Sequence, residues 1–160
     1  MATLGERTAA DNIRIRPLAP GDCDEVAGFE CEISRASFGD EAVTDLDHHR
    51  RRVRKILEKA DEFAVVLDDG NRLLGWAWLG PRQNFITHET YADFRSLYIA
   101  PQARGSNCAF RLMQACLEHC RSKGYPRIVG RTHSDNEAMR ALYALYRFTP
   151  TTITYELRLD

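Results

Sequence analysis

The stretch "IAPQARGSNCAFRLM", residues 99–113, decides the fold. It leads from an apolar strand end, through Pro101 and the pair Arg104 and Gly105, into a segment whose apolar residues predict a helix over 105–123. A helix that begins directly after a strand and a glycine turn offers unpaired backbone N–H groups and the positive end of its dipole. Such an N-terminus binds phosphate where the backbone can be approached closely, and Arg104 adds a cation beside it.

The turn matches neither of two well-known nucleotide-binding loops. It lacks the Gly-Lys-Ser/Thr of a P-loop and the Gly-x-Gly-x-x-Gly of a dinucleotide-binding loop. Asn107 stands where a phosphate-binding turn often carries a second glycine. Asparagine tolerates unusual backbone angles better than most residues with a Cβ, and it needs none if it lies in the first helical turn. Pro-x-x-Arg-Gly occurs in many loops, so the turn alone does not establish a phosphate site, and Asn107 places a side chain where a phosphate would lie closest.

The composition is typical of one globular domain. With 160 residues, of which 44% are hydrophobic and 28% charged, the chain suits one sizeable core and is too apolar for disorder. The net charge of −1 argues against a charge-driven nucleic-acid or membrane partner. No run of about 18 apolar residues predicts a membrane span. Residues 1–11 are expected to form a flexible lead before a single domain over residues 12–160.

The cysteines favour a reduced, cytoplasmic protein. There are five, an odd number, and no C-x-x-C motif occurs, so neither a disulfide framework nor a metal site is expected. Cys116 and Cys120 lie four residues apart on the predicted helix, in line with Leu112, Met113 and Leu117. Because this spacing forms one apolar stripe, these cysteines are interpreted as small core residues.

Alternation and helical spacing of apolar residues predict the element order β-α-α-β-β-β-α-β-α-β. The predicted segments are a strand at 12–18, helices at 21–38 and 40–60, a hairpin at 62–80, a strand at 93–100, the helix at 105–123, a strand at 127–133, a helix at 134–148 and a last strand at 151–159. The strands that flank helix 105–123 must be parallel neighbours, because a helical crossover joins them. We therefore expect one α/β domain with a mixed sheet of about six or seven strands flanked by four helices.

Local signals refine these helices. Gly124 is predicted to end helix 105–123. Ser134 and Glu137 have the spacing of a capping box for the last helix.

The basic run "DHHRRRVRK", residues 47–55, is interpreted as a solvated helix face rather than a nucleic-acid site. The inner side of the same helix is predicted to carry Leu46, Val53, Leu57 and Ala60.

The turn and the strand before it resemble the cofactor loop of the GNAT family of acetyl-CoA-dependent N-acetyltransferases. That loop reads approximately Arg-Gly-x-Gly-x-Gly/Ala and follows a strand end of the form L-x-V-x-P. The corresponding residues here are Leu97, Ile99 and Pro101, followed by residues 104–109.

A second motif of the same family lies in the last predicted helix. The family pattern N-x-x-A-x-x-L-Y-x-x-x-G-F is matched by Asn136, Leu142, Tyr143 and Phe148. Met139 replaces the alanine and Arg147 replaces the glycine. The element order is also similar, so the resemblance covers residues 12–159 and implies the GNAT fold and acetyl transfer.

The resemblance implies acetyl-CoA as co-substrate and no metal. Its pyrophosphate is expected on the amides of the turn, and its pantetheine arm is expected to pair with residues 97–99 like an added strand. A backbone N–H near Ile99 is implied as the oxyanion stabiliser. Tyr143 is implied as the catalytic proton donor to the departing thiolate, since the ordinary tyrosine pKa of about 10 lies above that of a thiol. The implied cofactor-binding residues are Leu97, Tyr98, Ile99, Arg104, Gly105, Ser106, Asn107, Cys108, Ala109, Phe110 and Asn136.

The general base and the acceptor contacts stay open. The candidate bases, each acting through one water, are Asp93, Glu89, His133, Glu30 and Glu32. Arg131 cannot be a base because its guanidinium stays protonated, but it can bind a carboxylate through two parallel hydrogen bonds. It either binds a carboxylate of the acceptor or pairs with an internal acid such as Glu30, Glu32 or Asp93.

The leading hypothesis is an enzyme that transfers acetyl directly from acetyl-CoA to a primary amine of a small molecule or peptide. The alternative is a module of the same fold that binds acyl-CoA with little or no turnover. Neither hypothesis requires a nucleic acid or a membrane as a partner, and both are consistent with a homodimer. Release of free thiol in the presence of amines separates the two hypotheses.

Overall fold

A computed structural model describes residues 12–159 of the chain. The segment 1–11, predicted as a flexible lead, lies outside the described residues, as does residue 160. The strands are β1 (Arg14–Pro17), β2 (Phe63–Asp68), β3 (Leu73–Gln83), β4 (Thr90–Ile99) and β5 (Ile128–Gly130). The helices are α1 (Cys23–Phe38), α2 (Leu46–Leu57), α3 (Cys108–Lys123) and α4 (Glu137–Leu145). Short 3-10 turns occupy Pro20–Asp22, Gly39–Glu41 and Pro101–Ala103.

The strands form one mixed sheet in the order β1-β2-β3-β4-β5. The first three pairings are antiparallel, and β4 and β5 are parallel. The parallel pair follows from α3, because a helix that crosses over a sheet returns the chain in the same direction. The predicted α/β class and mixed sheet are confirmed.

Apolar side chains fill both faces of the sheet. On one face, α3 and α4 contribute Leu112, Met113, Cys116 and Leu142 to a core that includes Leu79 and Phe94 of the sheet. On the other face, α1 and α2 pack Val26 and Val53 against Trp76 and Tyr98. All five cysteines are free and buried, which confirms their interpretation as core residues. Burial raises the pKa of the Cys116 thiol to about 12.

Helix α3 begins three residues later than predicted. A 3-10 turn at Pro101–Ala103 and the left-handed Gly105, with φ of 76°, delay the first helical residue to Cys108. At the other end, Gly124 adopts φ of 71° and caps the helix as predicted.

The predictions for helices α2 and α4 also need correction. Helix α2 spans Leu46–Leu57, not 40–60, and it buries His49, Val53 and Ile56. Leu46 and Leu57 are exposed, so the predicted inner stripe was wrong except at Val53. The error arose because buried His49 was counted with the polar face. Helix α4 is capped by Asn136, which accepts from the Met139 N–H at 3.0 Å, so the predicted Ser134 capping box was also wrong.

The last predicted strand is absent from the sheet. Residues 151–159 have no regular secondary structure and are exposed throughout, and β5 ends at Gly130 rather than at 133. The sheet of the described residues therefore has five strands, fewer than the six or seven predicted. Alternation marks a segment that is able to form a strand, but a strand exists only where a second strand pairs with it.

No helix between residues 12 and 159 combines the length and the apolar character that a membrane crossing requires.

Candidate active site

A gap opens in the sheet where β4 and β5 separate. The two strands pair from Ala92 with Ile128 to Phe94 with Gly130. Strand β4 then continues to Ile99, while β5 has ended. The edge of β4 over residues 95–99 therefore has no partner strand on this side among the described residues.

An extra residue in β4 lies at the start of this gap. In the β3–β4 pairing, Trp78 faces Ser96 and the next residue, Leu79, faces Phe94, so Arg95 is the extra residue of a β-bulge. A bulge bends its strand and increases the local twist. The bend falls at the residue after the last β4–β5 pair, which accounts for the separation of the two strands.

Tyr143 of α4 occupies the point where the strands part. A Cβ built on Gly130 would overlap the Tyr143 hydroxyl, so the phenol lies directly against the glycine backbone. The ring meets Phe94 edge-on at 6.4 Å between centroids and packs against Phe148 at 4.9 Å. Burial raises the pKa of Tyr143 to about 12, with nearby Arg131 opposing the shift. The hydroxyl makes no hydrogen bond to any residue between 12 and 159, and it remains protonated at neutral pH.

The N-terminus of α3 lies at the far end of the free β4 edge. Gly105 has a positive φ of 76°, which few residues other than glycine adopt, and it turns the chain into the helix. Asn107, by contrast, has an ordinary φ of −80° at the N-cap, so its side chain causes no backbone strain. Within residues 12–159 the backbone amides that donate no hydrogen bond include those of Gly105, Ser106, Asn107, Ala109 and Phe110.

The other residues predicted to bind the cofactor differ in which of their groups face the gap. Leu97 and Ile99 pack into the core beside α3, and Tyr98 stacks on Phe29 at 4.6 Å on the other face. Only the backbone of these three residues is therefore available at the gap. The Arg104 Nε donates to the Ile99 carbonyl at 3.0 Å, which places its guanidinium at the end of β4. Cys108 is buried, and its N–H donates to the Ser106 hydroxyl at 3.3 Å.

A cluster of charged side chains borders the gap around Asp93. This carboxylate is 6% exposed and accepts from Arg131 at 2.6 Å and from Arg95 at 3.2 Å, with Arg82 at 3.6 Å. Glu62 binds the Arg95 Nη1 with both oxygens at 2.7 Å. Arg131 thus has an internal acid as partner, although 58% of its side chain is exposed. The hydrogen bond to Asp93 raises the pKa of Arg131.

Comparison with known proteins gives the family. The model described as "Acetyltransferase (GNAT) family" matches residues 28–146, well over half of the chain. The chain belongs to the GNAT family of acetyltransferases. This GNAT chain is 26% identical over 152 residues to a mycothiol acetyltransferase of Pseudarthrobacter chlorophenolicus. That alignment covers 92% of the chain and 46% of the relative, so the chain spans about half the length of that curated protein.

Solved structures share the GNAT chain's fold. A mutant protein from Bacillus halodurans has a TM-score of 0.83 at 16% identity, covering 92% of this chain and 99% of that one. The aminoglycoside N-acetyltransferase AAC(6′)-Iy, solved with a bisubstrate analogue that contains CoA, has a TM-score of 0.73 at 14% identity, covering 92% and 98%. At these identities the likeness establishes the fold.

The five candidate bases of this GNAT chain lie in different surroundings. Glu89 is paired with Arg127, Glu32 is an exposed partner of Arg35, and exposed His133 lies beside Asp135. Glu30 of α1 is buried beside Ser96 and Trp76 of the sheet, its Oε1 has no hydrogen-bond partner among residues 12–159, and burial raises its pKa. Of the five, Asp93 is the one in the β4–β5 pairing beside Tyr143.

Two parts of this site were not predicted from the sequence. The contact of Gly130 with Tyr143 had a signal, because a glycine inside a strand pattern often marks a close approach of another group. No signal in the sequence indicated that Glu62 lies beside Arg95, since 33 residues separate them along the chain. Among residues 12–159, no group of three or more His, Cys, Asp or Glu side chains is placed to hold a metal ion.

Proposed function

We propose that this GNAT protein transfers an acetyl group from acetyl-CoA to a primary amine of a small molecule or peptide. The observation that carries the proposal is the position of the Tyr143 hydroxyl at the point where β4 and β5 part. A protonated, unpartnered phenol at the inner end of a free strand edge is suited to donate to a sulfur atom that gains charge.

The chain's backbone suits the two polar parts of acetyl-CoA. Free amides and the dipole at the start of α3 complement the charge of a pyrophosphate. The unpaired backbone of residues 95–99 offers hydrogen-bonding groups to the amides of a pantetheine arm. Arg104, at the junction of the two, is free to exchange its bond to the Ile99 carbonyl for a phosphate oxygen. When bound, acetyl-CoA supplies the activated acetyl thioester.

In the proposed reaction, the neutral amine forms a bond to the acetyl carbonyl carbon and the carbon–sulfur bond breaks. Tyr143 donates its proton to the departing sulfur, and the amine loses one proton to solvent or a carboxylate, from which the Tyr143 phenolate is reprotonated. Backbone N–H groups near Ile99 stabilise the developing oxyanion. Because its pKa is raised to about 12, the phenol of Tyr143 remains a donor throughout the neutral range.

The charge cluster supports an acceptor that carries a carboxylate near its amine. The three guanidinium groups of Arg82, Arg95 and Arg131 face the two carboxylates of Asp93 and Glu62, which leaves one positive charge in excess. The exposed part of Arg131 presents that charge beside the gap. We therefore propose that Arg131 binds the acceptor's carboxylate while Asp93 positions it. The named relatives, a mycothiol and an aminoglycoside acetyltransferase, support a small-molecule acceptor.

The second candidate function is acyl-CoA binding with little or no turnover. The ion pairs of Asp93 favour this function, because its oxygens are already engaged by the guanidinium groups of Arg131 and Arg95, with Arg82 nearby. The two functions are separated by measuring thiol release from acetyl-CoA with amino acids, polyamines, aminoglycosides and peptides. Amine-dependent release supports transfer, and binding without release supports the module.

A further inference from the structure

Three buried polar side chains with an unpartnered atom lie together between α1, α2 and the sheet. The atoms are Glu30 Oε1, His49 Nδ1 and Trp76 Nε1, and none of them has a hydrogen-bond partner among residues 12–159. The three residues are 6%, 1% and 0% exposed, and His49 and Trp76 both lie beside the Glu30 carboxylate. Each such group lowers stability, so a cluster of three indicates a role other than holding the fold together.

Glu30 is the acid of this cluster, and few neighbours compensate its charge. Its one ion-pair partner among the described residues is Arg52 of α2, whose Nη1 is 3.9 Å away and whose side chain is 48% exposed. His49, also of α2, has its Nε2 2.7 Å from the Val43 carbonyl oxygen, so Nε2 carries the hydrogen and Nδ1 of the neutral ring is an acceptor. Burial raises the pKa of Glu30, although Ser96 and Arg52 oppose the shift. Such a carboxylate takes up a proton more readily than one in water.

Ser96 connects this carboxylate with the gap between β4 and β5. It follows the bulge at Arg95 and belongs to the stretch of β4 that β5 does not pair with. Because side chains alternate along a strand, Ser96 faces the same side as Tyr98, which stacks on Phe29 of α1. The Ser96 backbone therefore lies at the gap, and its side chain lies beside Glu30. A hydroxyl donates and accepts, so it is able to pass a proton from one to the other.

Glu30 and Tyr143 approach the gap from opposite faces of the sheet. Tyr143 packs against the core under α3 and α4, whereas Glu30 lies between the sheet and α1. Ser96 comes two residues after Phe94, which pairs with Gly130 where the Tyr143 hydroxyl lies. Two residues of a strand span about 7 Å. A proton donor and a proton acceptor thus reach the same part of the gap from its two sides.

On the basis of the proposed acetyl transfer, we propose that Glu30 accepts the proton of the acceptor's ammonium group and that the Ser96 hydroxyl relays it. An alkyl amine is mostly protonated at neutral pH and then has no lone pair with which to attack. The ammonium gives one proton to the Ser96 oxygen while the Ser96 hydroxyl proton passes to Glu30, which leaves a neutral amine and a neutral Glu30. After transfer, Glu30 loses this proton to solvent on the side of the exposed Arg52.

The pH dependence of acetyl transfer tests this role. The acceptor is the amine of the panel above with the highest kcat/KM, studied below the pKa of its ammonium group. With Glu30→Gln, kcat/KM is expected to fall by about 10²–10⁴ at pH 7 and to rise about tenfold per pH unit, because only amine that is already neutral in solution reacts. The unmodified protein is expected to show a much shallower rise. Ser96→Ala should resemble Glu30→Gln, and Glu30→Asp should recover part of the rate.

Glu32→Gln is the matched control, because Glu32 lies on the same helix and its exposed side chain pairs with Arg35. It is expected to leave both the rate and the pH dependence unchanged. Circular dichroism and the Kd for acetyl-CoA are expected to be unchanged in every variant. If Glu30→Gln does not fold, the pH dependence of Ser96→Ala decides.

Two results with Glu30→Gln overturn the proposal: the unmodified rate, or a rate lowered equally at every pH, which shows a structural role only. A Ser96→Ala variant with the unmodified rate overturns the relay. In each of these cases the unmodified protein still transfers acetyl, so the proposed function stands. If the unmodified protein releases no thiol with any amine, the acetyl transfer on which the role of Glu30 rests is itself wrong.

Discussion

At the scale of single residues, Gly130 and Tyr143 act as one unit. The absence of a Cβ on Gly130 lets the phenol lie against β5, and the apolar ring of Phe94 holds it from the side. Burial raises the pKa of this phenol to about 12, so its proton is present throughout the neutral range. The unit places one donor at the separation of β4 and β5, which is the reacting position of the proposed mechanism.

Replacing Tyr143 with Phe is expected to lower kcat by about 10²–10⁴, the usual contribution of general acid catalysis, and to change the KM for acetyl-CoA little. The reason is that the hydroxyl is needed only when charge develops on sulfur. The measurement is steady-state thiol release at saturating substrates. Tyr125→Phe, which removes a half-buried phenol at the other end of α3, serves as control. A Tyr143→Phe variant within twofold of the unmodified protein would remove this residue from the mechanism.

Replacing Arg131 with Ala is expected to lower catalytic efficiency for amino-acid acceptors relative to spermidine. The cause is the loss of the exposed guanidinium, which a bidentate carboxylate contact needs. The measured quantity is the ratio of kcat/KM values for the two acceptors. Arg127→Ala, on a neighbouring arginine that binds Glu89, is the control. If spermidine is the better acceptor of the unmodified protein, or if the ratio is unchanged in the variant, Arg131 does not bind an acceptor carboxylate.

At the scale of elements, the turn before α3 shows what sequence alone can predict. The order of strand, turn and helix was predicted from apolar spacing, because each element buries one face with its own period. The start of the helix was predicted three residues too early, because the spacing of apolar residues does not reveal the 3-10 turn at Pro101–Ala103. One alternative for Asn107 was that it lies at the start of the helix and needs no unusual backbone angle. Its φ of −80° at the N-cap confirms this.

Other elements depended on contacts that sequence does not encode locally. His49 is polar by composition, yet it is buried with its Nε2 2.7 Å from the Val43 carbonyl oxygen, so the inner face of α2 was misplaced. The segment 151–159 has a strand's alternation, but pairing requires a free edge in reach. Long-range partners such as Glu62 and Arg95 emerge only when the sheet is assembled.

Replacing Arg104 with Ala is expected to weaken acetyl-CoA binding by about 1–3 kcal/mol, the range for a lost hydrogen bond to a charged group. Arg104 lies where the free β4 edge meets the helix N-terminus, within reach of both proposed parts of the ligand. Calorimetric titration of acetyl-CoA gives the Kd. Arg121→Ala, in the last turn of the same helix, is the control. An unchanged Kd for the Arg104 variant would contradict the assignment.

Arg16, whose side chain is 27% exposed, joins strand β1 to β2 and to the 3-10 turn that precedes α1. Arg16 donates to Asp22 at 2.7 and 2.9 Å and to Asp68 at 2.8 Å, and these bonds hold the pKa of both carboxyls below their ordinary value of 3.8. A lowered pKa means that the stabilisation is present above pH 3.8 and is lost as the pH falls through the folded-state values.

Replacing Arg16 with Leu is therefore expected to lower the free energy of unfolding at pH 7 by about 1.5–3 kcal/mol. The difference from the unmodified protein should shrink as the pH falls below 4, because protonated carboxyls no longer need the guanidinium. Urea unfolding at several pH values measures it. Arg14→Leu removes the neighbouring, 68% exposed arginine 3.5 Å from the same Asp68 and should cost much less. Equal losses for the two variants, or a pH-independent difference, would exclude this role.

At the scale of the whole molecule, the parts of the candidate site follow the unpaired edge of β4. The start of α3 holds free amides, the edge of β4 runs inward from it, Tyr143 stands at the inner end, and the Asp93 cluster borders that end. Family membership and fold agree with acetyl transfer.

The most direct measurement is the rate of thiol release from acetyl-CoA with and without a primary amine, in the unmodified protein and in Tyr143→Phe. We expect thiol release that depends on the amine and is matched by an equal amount of N-acetylated acceptor, at a rate that falls by about 10²–10⁴ in the variant. If acetyl-CoA binds but no amine in a panel of amino acids, polyamines, aminoglycosides and peptides raises thiol release above the rate without amine, the protein is a binding module and does not transfer acetyl.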